Sequence, residues 1–276
     1  CPGTLYLVGT PIGNLGDLSP RAKFILKNVS LIACEDTRRS GQLLKTIESK
    51  APLISYHKHN IKSRLPQILE ILEKNGSIAL ISDAGLPGIS DPGEELVRAA
   101  RSNNHKVICI PGPCAAITAL VISGLPSQRF CFEGFLPKKQ SLRRKIIKRI
   151  SQEERTTIIY ESPHQIINLL KELSNSCGKD RPIQLGRELT KKYEESIGQT
   201  IKEALEYLQS NPPRGEFTIV LGGNTNLEKV NMNSELEAIN KLKSLINNGQ
   251  KTKEAAKIIS EETGYSKNWL YSELHK

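Results

Sequence analysis

Residues 77–93 read SIALISDAGLPGISDPG, and the order of residue types in this stretch decides the fold. The run Ser77-Ile78-Ala79-Leu80-Ile81 is apolar on both faces, the pattern of a strand inside a parallel sheet. The twelve residues that follow hold three glycines, two prolines, two aspartates and no cation. Asp91-Pro92-Gly93-Glu94 then reads as a helix start, with Asp91 as the cap and Glu94 three residues on. A glycine-rich loop between strand and helix ordinarily cradles phosphate. Here Asp83 would repel one. The loop suits a hydroxyl or a cation instead, and its glycines let backbone approach a ligand closely.

The same strand–loop–helix unit recurs on both sides. Strand-length apolar runs stand at Thr4–Val8, Leu31–Cys34, Pro52–Tyr56 and Lys106–Ile110. Between them lie helical patterns. Ser19 and Pro20 supply an N-cap and a first-turn proline, after which Phe24, Ile25 and Val29 share a face. Residues 62–74 place Leu65, Ile68, Leu69 and Leu72 at helical spacing. This alternation predicts an α/β domain with a parallel sheet over residues 1–124.

Near Gly124-Leu125-Pro126 the pattern changes. Strands at Phe130–Phe135, Thr157–Tyr160, Ile183–Leu189 and Phe217–Leu221 alternate with helical patterns at 140–153, 164–175 and 200–209. A second α/β domain with a mixed sheet is predicted over 125–226. A polar stretch, Asn224–Asn233, reads as a connector to a helical domain at 227–276. There a pattern from Thr252 ends at Gly264, and Ser266 caps Trp269-Leu270-Tyr271, a helix-turn-helix-like arrangement.

The chain has 276 residues and a net charge of +10. That excess favours polyanionic partners. Much of it is concentrated in Pro137–Arg149, PKKQSLRRKIIKR, which has seven Lys or Arg and no acid. Lys138, Lys139, Arg143, Arg144 and Lys145 are its candidate contacts to such a partner, which the resemblance given below makes RNA. Residues 227–276 hold eight Lys against seven Glu and are no basic arm. Aromatics make up only 5% of the chain, and none interleaves the basic run, so stacking on bases is not signalled. The six cysteines show no C-x-x-C spacing, so neither a metal site nor a disulfide frame is expected. The apolar stretch near 115–125 is too short for a membrane span, and no signal peptide opens the chain. A soluble, cytoplasmic protein is expected. Because the chain starts at Cys1, the native start is expected to lie upstream.

Ligands of open α/β sheets sit beyond the carboxyl ends of the strands. After the first strand comes Gly9-Thr10-Pro11-Ile12-Gly13-Asn14, which lacks the dinucleotide spacing and loses a backbone donor at Pro11. After the second stands Glu35-Asp36-Thr37-Arg38-Arg39, either a helix cap with solvated charges or a substrate contact. After the third come His57 and His59, with no third metal ligand in view. After the fifth comes Pro111-Gly112-Pro113-Cys114-Ala115-Ala116, a turn into a helix of small residues.

Taken in order, GTPIGN, EDTR, SDAGLPGISDPG, PGPCAA, GFLP, YESPH, RELTK and GEF resemble the tetrapyrrole-methylase superfamily. More narrowly they are similar to its ribosomal RNA branch, the small-subunit 2′-O-cytidine methylases. The resemblance implies two α/β domains of the class III methyltransferase type with S-adenosylmethionine folded into the cleft between them, and a small helical C-terminal domain. It implies cofactor contacts from Ser82, Asp83, Ala84, Gly85, Leu86 and Ile89, and from Pro111, Gly112, Cys114 and Ala115. Tyr160 and Leu189 would close over the cofactor. Thr10, Pro11, Asn14, Glu35, Asp36 and Arg38 would border the RNA. Where this chain has Cys114 the family commonly has Ser or Thr, and a thiol is the poorer hydrogen-bond partner.

The implied reaction is in-line transfer of a methyl group to a ribose hydroxyl of 16S rRNA, within the small ribosomal subunit. The hydroxyl must lose its proton, and the candidate bases are Glu35, Asp36, His57, His59, Glu188 and Lys191. A homodimer is expected, as is common in the superfamily. The alternatives are a methylase of the same superfamily acting on a corrinoid precursor or a protein side chain, and an RNA-binding module without catalysis.

Overall fold

The computed structural model describes residues 3–247, 249–263 and 265–274. Two features of the sequence reading, the start at Cys1 and the turn at Gly264, lie outside the described residues. The chain forms two compact units, residues 1–223 and 224–276.

The first unit contains two five-stranded sheets. In the first sheet, β1 (Thr4–Val8), β2 (Leu31–Cys34), β3 (Leu53–Ser55), β4 (Ser77–Ile81) and β5 (Lys106–Ile110) lie in the order β3-β2-β4-β1-β5. Every pairing is parallel. The helices α1 (Pro20–Asn28) and α2 (Thr37–Thr46) cover one face, where Ala22, Leu26 and Leu44 pack on Val8, Ile32 and Ile81. On the other face α3 (Ile61–Glu73) and α4 (Glu94–Ser102) bring Ile68, Leu72, Leu96 and Ala100 against Leu5, Ile78 and Leu80. Thus β1 and β4 are neighbours whose onward helices leave to opposite faces. Such a topological switch opens a crevice at the strands' carboxyl ends.

The second sheet has the order β6-β7-β10-β8-β9 and is mixed, as its sequence suggested. Its strands are β6 (Phe130–Phe135), β7 (Thr156–Glu161), β8 (Ile183–Arg187), β9 (Glu195–Ile197) and β10 (Phe217–Leu221). β6 runs parallel to β7, and the other pairings are antiparallel. The helices α6 (Gln140–Gln152), α7 (Ile166–Cys177) and α8 (Ile201–Ser210) pack on one face. The opposite face is covered by α5 (Ala115–Ser123), whose Ala116, Ala119 and Leu120 meet Ile158 and Val220. α5 follows the last strand of the first sheet yet packs on the second. Its sequence is apolar all round, and Gly124, at φ 67°, ends it in the left-handed conformation.

The second unit is three helices: α9 (Asn226–Asn247), α10 (Thr252–Thr263) and α11 (Lys267–Leu274). They close over Ala238, Leu242, Ala255, Ala256, Ile259 and Leu270. Ser266 accepts from the Trp269 N–H at 3.2 Å, the cap its sequence predicts. Among the described residues no helix is long and apolar enough to cross a membrane.

Four expectations are corrected. The stretch Asn224–Asn233, read as a connector, is helical from Asn226, because Leu227, Glu228, Lys229 and Met232 are strong helix formers. The short strand β9 was missed, since three residues carry too little periodicity. On α1 the buried residues are Ala22 and Leu26, with Val29 buried just after the helix, while Phe24 is 65% exposed. Asp91 does not cap α4. The cap position is Gly93, with no side-chain hydrogen bond, because Pro92-Gly93 turns the chain before the helix begins.

Candidate active site

The loops after β1 and β4 are tied to each other at the switch point. Thr10 and Gly85 form a two-bond bridge, with N···O distances of 2.9 and 3.1 Å. The Thr10 hydroxyl donates toward the carbonyls of Ser82 and Gly85 at 3.2 and 3.3 Å. The Ser82 hydroxyl lies 3.1 Å from the Gly85 carbonyl. Gly85, at φ 87°, needs the freedom of glycine. The loops after β1 and β5 also meet: a Cβ on Gly9 would lie 2.6 Å from the Gly112 Cα, so only glycine fits there. These contacts make a rigid floor from three loops.

Above that floor is a cavity of about 480 Å³, within the range of small-molecule sites. The loop after β4 supplies Asp83, Ala84, Gly85, Leu86, Ile89 and Asp91, and Ile12 comes from the loop after β1. Cys114 and Ala115 enter from the start of α5, while Tyr160, Glu161, Leu189 and Thr218 come from the second sheet and its loops. Both sheets of the first unit therefore contribute.

Five carboxylates face this space, from Glu35, Asp83, Asp91, Glu161 and Glu216, against one cation, Arg39. Three of them are held by partners. Asp83 accepts from the Asp36 N–H at 3.1 Å and from Arg39 Nη1 at 3.4 Å. Glu161 accepts from the Ser162 N–H at 2.8 Å and faces Arg143 Nη2 at 3.5 Å. Glu216 pairs with Lys191 at 2.6 Å. Glu35 and Asp91 have no ion pair among the described residues. Burial pushes the Asp91 carboxyl up to about 6, reinforced by the negative charges of Glu35 and Asp83.

Nine of the expected cofactor contacts line the cavity: Asp83, Ala84, Gly85, Leu86, Ile89, Cys114, Ala115, Tyr160 and Leu189. Ser82 and Gly112 serve the floor rather than the space above it, and Pro111 is outside the lining. Of the six candidate bases only Glu35 faces the cavity. Asp36 caps α2 and pairs with Arg38 at 2.9 Å, and these bonds bring its carboxyl down to about 2. His57 is tied to Asn60, and His59 is exposed outside the cavity. Glu188 and Lys191 are bound to each other at 2.9 Å.

The substrate-side residues divide in the same way. Thr10 is fully buried and structural, contrary to expectation, because its hydroxyl is consumed by the bridge between loops. Asn14 is exposed and caps a short 3-10 turn, Leu15–Asp17. Pro11 is half-buried and Arg38 exposed, neither lining the cavity. Within the basic run, Lys138, Lys139, Arg144 and Lys145 are exposed. Arg143 is not an RNA contact. It turns inward, donating to Glu172 at 2.7 Å as well as facing Glu161, with 9% of its side chain exposed.

Residues missed from the sequence include Arg39 as a cavity residue, Asp91 as a wall residue, Glu161-Ser162-Pro163 and Glu216-Phe217-Thr218. The signal was present, since they fall in the EDTR, SDAGLPGISDPG, YESPH and GEF segments or, for Arg39 and Thr218, directly after one. Which residues of a loop turn inward is set by the opposing sheet.

The family model for Tetrapyrrole (Corrin/Porphyrin) Methylases matches residues 4–205. A protein of Synechocystis sp. named ribosomal RNA small subunit methyltransferase I is 45% identical over 269 residues, covering 98% of this chain and 96% of that protein. Among solved structures, cobalt precorrin-4 methyltransferase, a cobalamin biosynthetic enzyme, superposes with a TM-score of 0.61 at 15% identity, covering 79% of this chain and 94% of that one. The Thermus thermophilus uroporphyrin-III C-methyltransferase complexed with S-adenyl homocysteine gives 0.56 at 17% identity, covering 80% and 97%.

Proposed function

Because the chain belongs to the tetrapyrrole methylases, and within them to the ribosomal RNA small subunit methyltransferase I group, we propose that it methylates the 2′-hydroxyl of a cytidine in the decoding region of 16S rRNA. The methyl donor is S-adenosylmethionine, which supplies an electrophilic methyl on a cationic sulfonium. The observation that carries this reading is the cavity itself, which brings carboxylates and apolar side chains to one space.

The residues present fit that donor. Carboxylates from Asp83, Asp91 and Glu35 suit a positive sulfonium, an ammonium group and ribose hydroxyls. Ile12, Leu86, Ile89 and Leu189 suit an adenine ring and a thioether. At Gly85 a Cβ would stand 3.3 Å from both Ile12 Cγ2 and the Pro113 carbonyl, so the glycine keeps that wall open.

The protein's part is positioning and proton removal. The rigid floor and the second-sheet wall hold the reacting groups close, which is worth about 7–11 kcal/mol in well-oriented systems. Tyr160 and Leu189 shield the site from water. Glu35, exposed at the cavity edge and unpaired, takes the proton of the incoming hydroxyl. General base catalysis of this kind contributes roughly 10²–10⁴. Lys138, Lys139, Arg144 and Lys145 on and beside α6 contact the RNA backbone, and action on ribosomal particles puts the protein in the cytoplasm. A homodimer fits the apolar surface left by α5, where Val121 is 74% exposed and Ile117 and Ile122 are also exposed.

The test is transfer of tritium from methyl-labelled S-adenosylmethionine to small ribosomal subunits that lack the modification. Label is expected in an alkali-resistant, ribose-methylated dinucleotide. Label on a base, or transfer to a corrinoid precursor with none to the subunits, would overturn it.

A further inference from the structure

The loop between β8 and β9 does more than close the cavity. Glu188 (φ 50°) and Thr190 (φ 67°) hold left-handed backbone, a conformation that side-chain-bearing residues rarely adopt. Strain of this kind persists only where surrounding contacts enforce it. Here they do: the Lys191 N–H donates to the Glu188 carbonyl at 3.0 Å, and the Glu194 N–H to the Lys191 carbonyl at 3.1 Å. The Thr190 N–H donates to the Glu194 carboxylate. Lys191 Nζ bridges Glu188 and Glu216 at 2.9 and 2.6 Å.

This architecture has two outward results. Leu189, 6% exposed, forms cavity wall. Tyr193, four residues on, is 70% exposed, with Lys192 Nζ 5.6 Å from its ring centroid. The loop also abuts the turn after β1, since a Cβ on Gly13 would come within 2.3 Å of Lys191 Cγ. Tyr193 therefore stands on a fixed platform beside the cavity, on a loop whose acids are already committed. Glu188 and Glu216 serve Lys191, and Glu194 serves Thr190. Lys192 has no ion pair among the described residues.

An exposed aromatic ring beside an ammonium that makes no ion pair among the described residues is the chemistry that holds an unstacked base and its phosphate. We infer that Tyr193 is a stacking platform for an RNA base flanking the nucleotide in the cavity, with Lys192 holding the adjoining phosphate. The inference rests on the ribosomal RNA reading above. It adds an RNA contact away from the basic run, on the loop that gives Leu189 to the cavity.

The experiment compares wild type, Tyr193→Ala, Tyr193→Phe and Lys192→Ala in methyl transfer to unmodified 30S particles, with S-adenosylhomocysteine affinity measured by calorimetry. Tyr193→Ala is expected to raise KM for the particles roughly five- to hundredfold, the effect of losing one stacked base. Calorimetry should not change, and Tyr193→Phe should restore KM because it keeps the ring. Lys192→Ala should lower the salt dependence of particle binding. An unchanged KM in Tyr193→Ala would overturn the inference. So would a parallel loss of S-adenosylhomocysteine affinity, which would mark a collapsed loop, or conversion of a dimer to a monomer, which would mark a subunit contact. If wild type binds S-adenosylhomocysteine but never methylates 30S particles, the functional reading fails instead.

Discussion

The hydroxyl of Tyr160 accepts a hydrogen bond from the Ala116 N–H at 3.1 Å, joining the second sheet to the first turn of α5. The first N–H groups of a helix have no partner within it, so this bond satisfies one of them inside the protein. Burial pushes the Tyr160 phenol up to about 12, so it stays neutral. Phe132 and Phe135 pack on the ring, with centroids at 5.1 and 5.5 Å.

Tyr160→Phe should leave the Ala116 N–H without its acceptor. An unpaired buried donor costs about 1–3 kcal/mol. Urea denaturation should show the midpoint falling, and S-adenosylhomocysteine should bind more weakly because the wall is less fixed. A midpoint equal to wild type would show that solvent satisfies the amide.

Arg143 should behave unlike its neighbours in the basic run. Removing one partner of a buried ion pair costs about 3–5 kcal/mol, so Arg143→Ala should be strongly destabilising. Arg144→Ala and Lys145→Ala should leave denaturation unchanged while reducing the salt dependence of 30S binding, by about one phosphate contact each. Thermal melts and binding titrations at graded salt separate the two behaviours.

Asp91 makes the empty protein sensitive to pH. Its folded value, about 6, lies above the ordinary carboxylate value of 3.8, so between these limits the folded state binds more protons than the unfolded one. Stability from this group therefore falls as pH rises through that window and stays lower above it. Asp91→Asn should raise the melting temperature near neutral pH, and the gain should vanish toward about pH 4. Affinity for cationic S-adenosylmethionine should show the reverse trend, weakening below about pH 6 in wild type. A melting-temperature gain that is the same at all pH values would reject the charge argument.

Glu35→Gln tests the base. The substitution keeps size and polarity but cannot take a proton at neutral pH. Turnover should fall by roughly 10²–10⁴, well beyond any loss of S-adenosylhomocysteine affinity seen by calorimetry. Full turnover in this variant would move the role to another group.

Local patterns were enough to locate nearly every long element. Ser19 caps α1 as its spacing says, and the stretch from Ser77 to Gly93 is a strand and a ligand-side loop because apolar runs and glycines act over a few residues. The ambiguous pieces were those without a local period, such as β9 and the first turns of α9.

What the sequence by itself determined is the class of the fold, the loops that carry the site and the family to which the chain belongs. Each of these rests on short-range order in the chain. Tertiary structure alone decided which side chains within those loops meet. Asp91 turned from a helix cap into a cavity wall because Gly93 took the cap position. Arg143 turned from a surface cation into a buried partner of Glu161 and Glu172 because helical geometry faces it toward the second sheet. Five of six candidate bases lie outside the cavity lining, three of them held in ion pairs. Such outcomes depend on groups far apart in sequence competing for the same charge or space, and no local pattern records that competition.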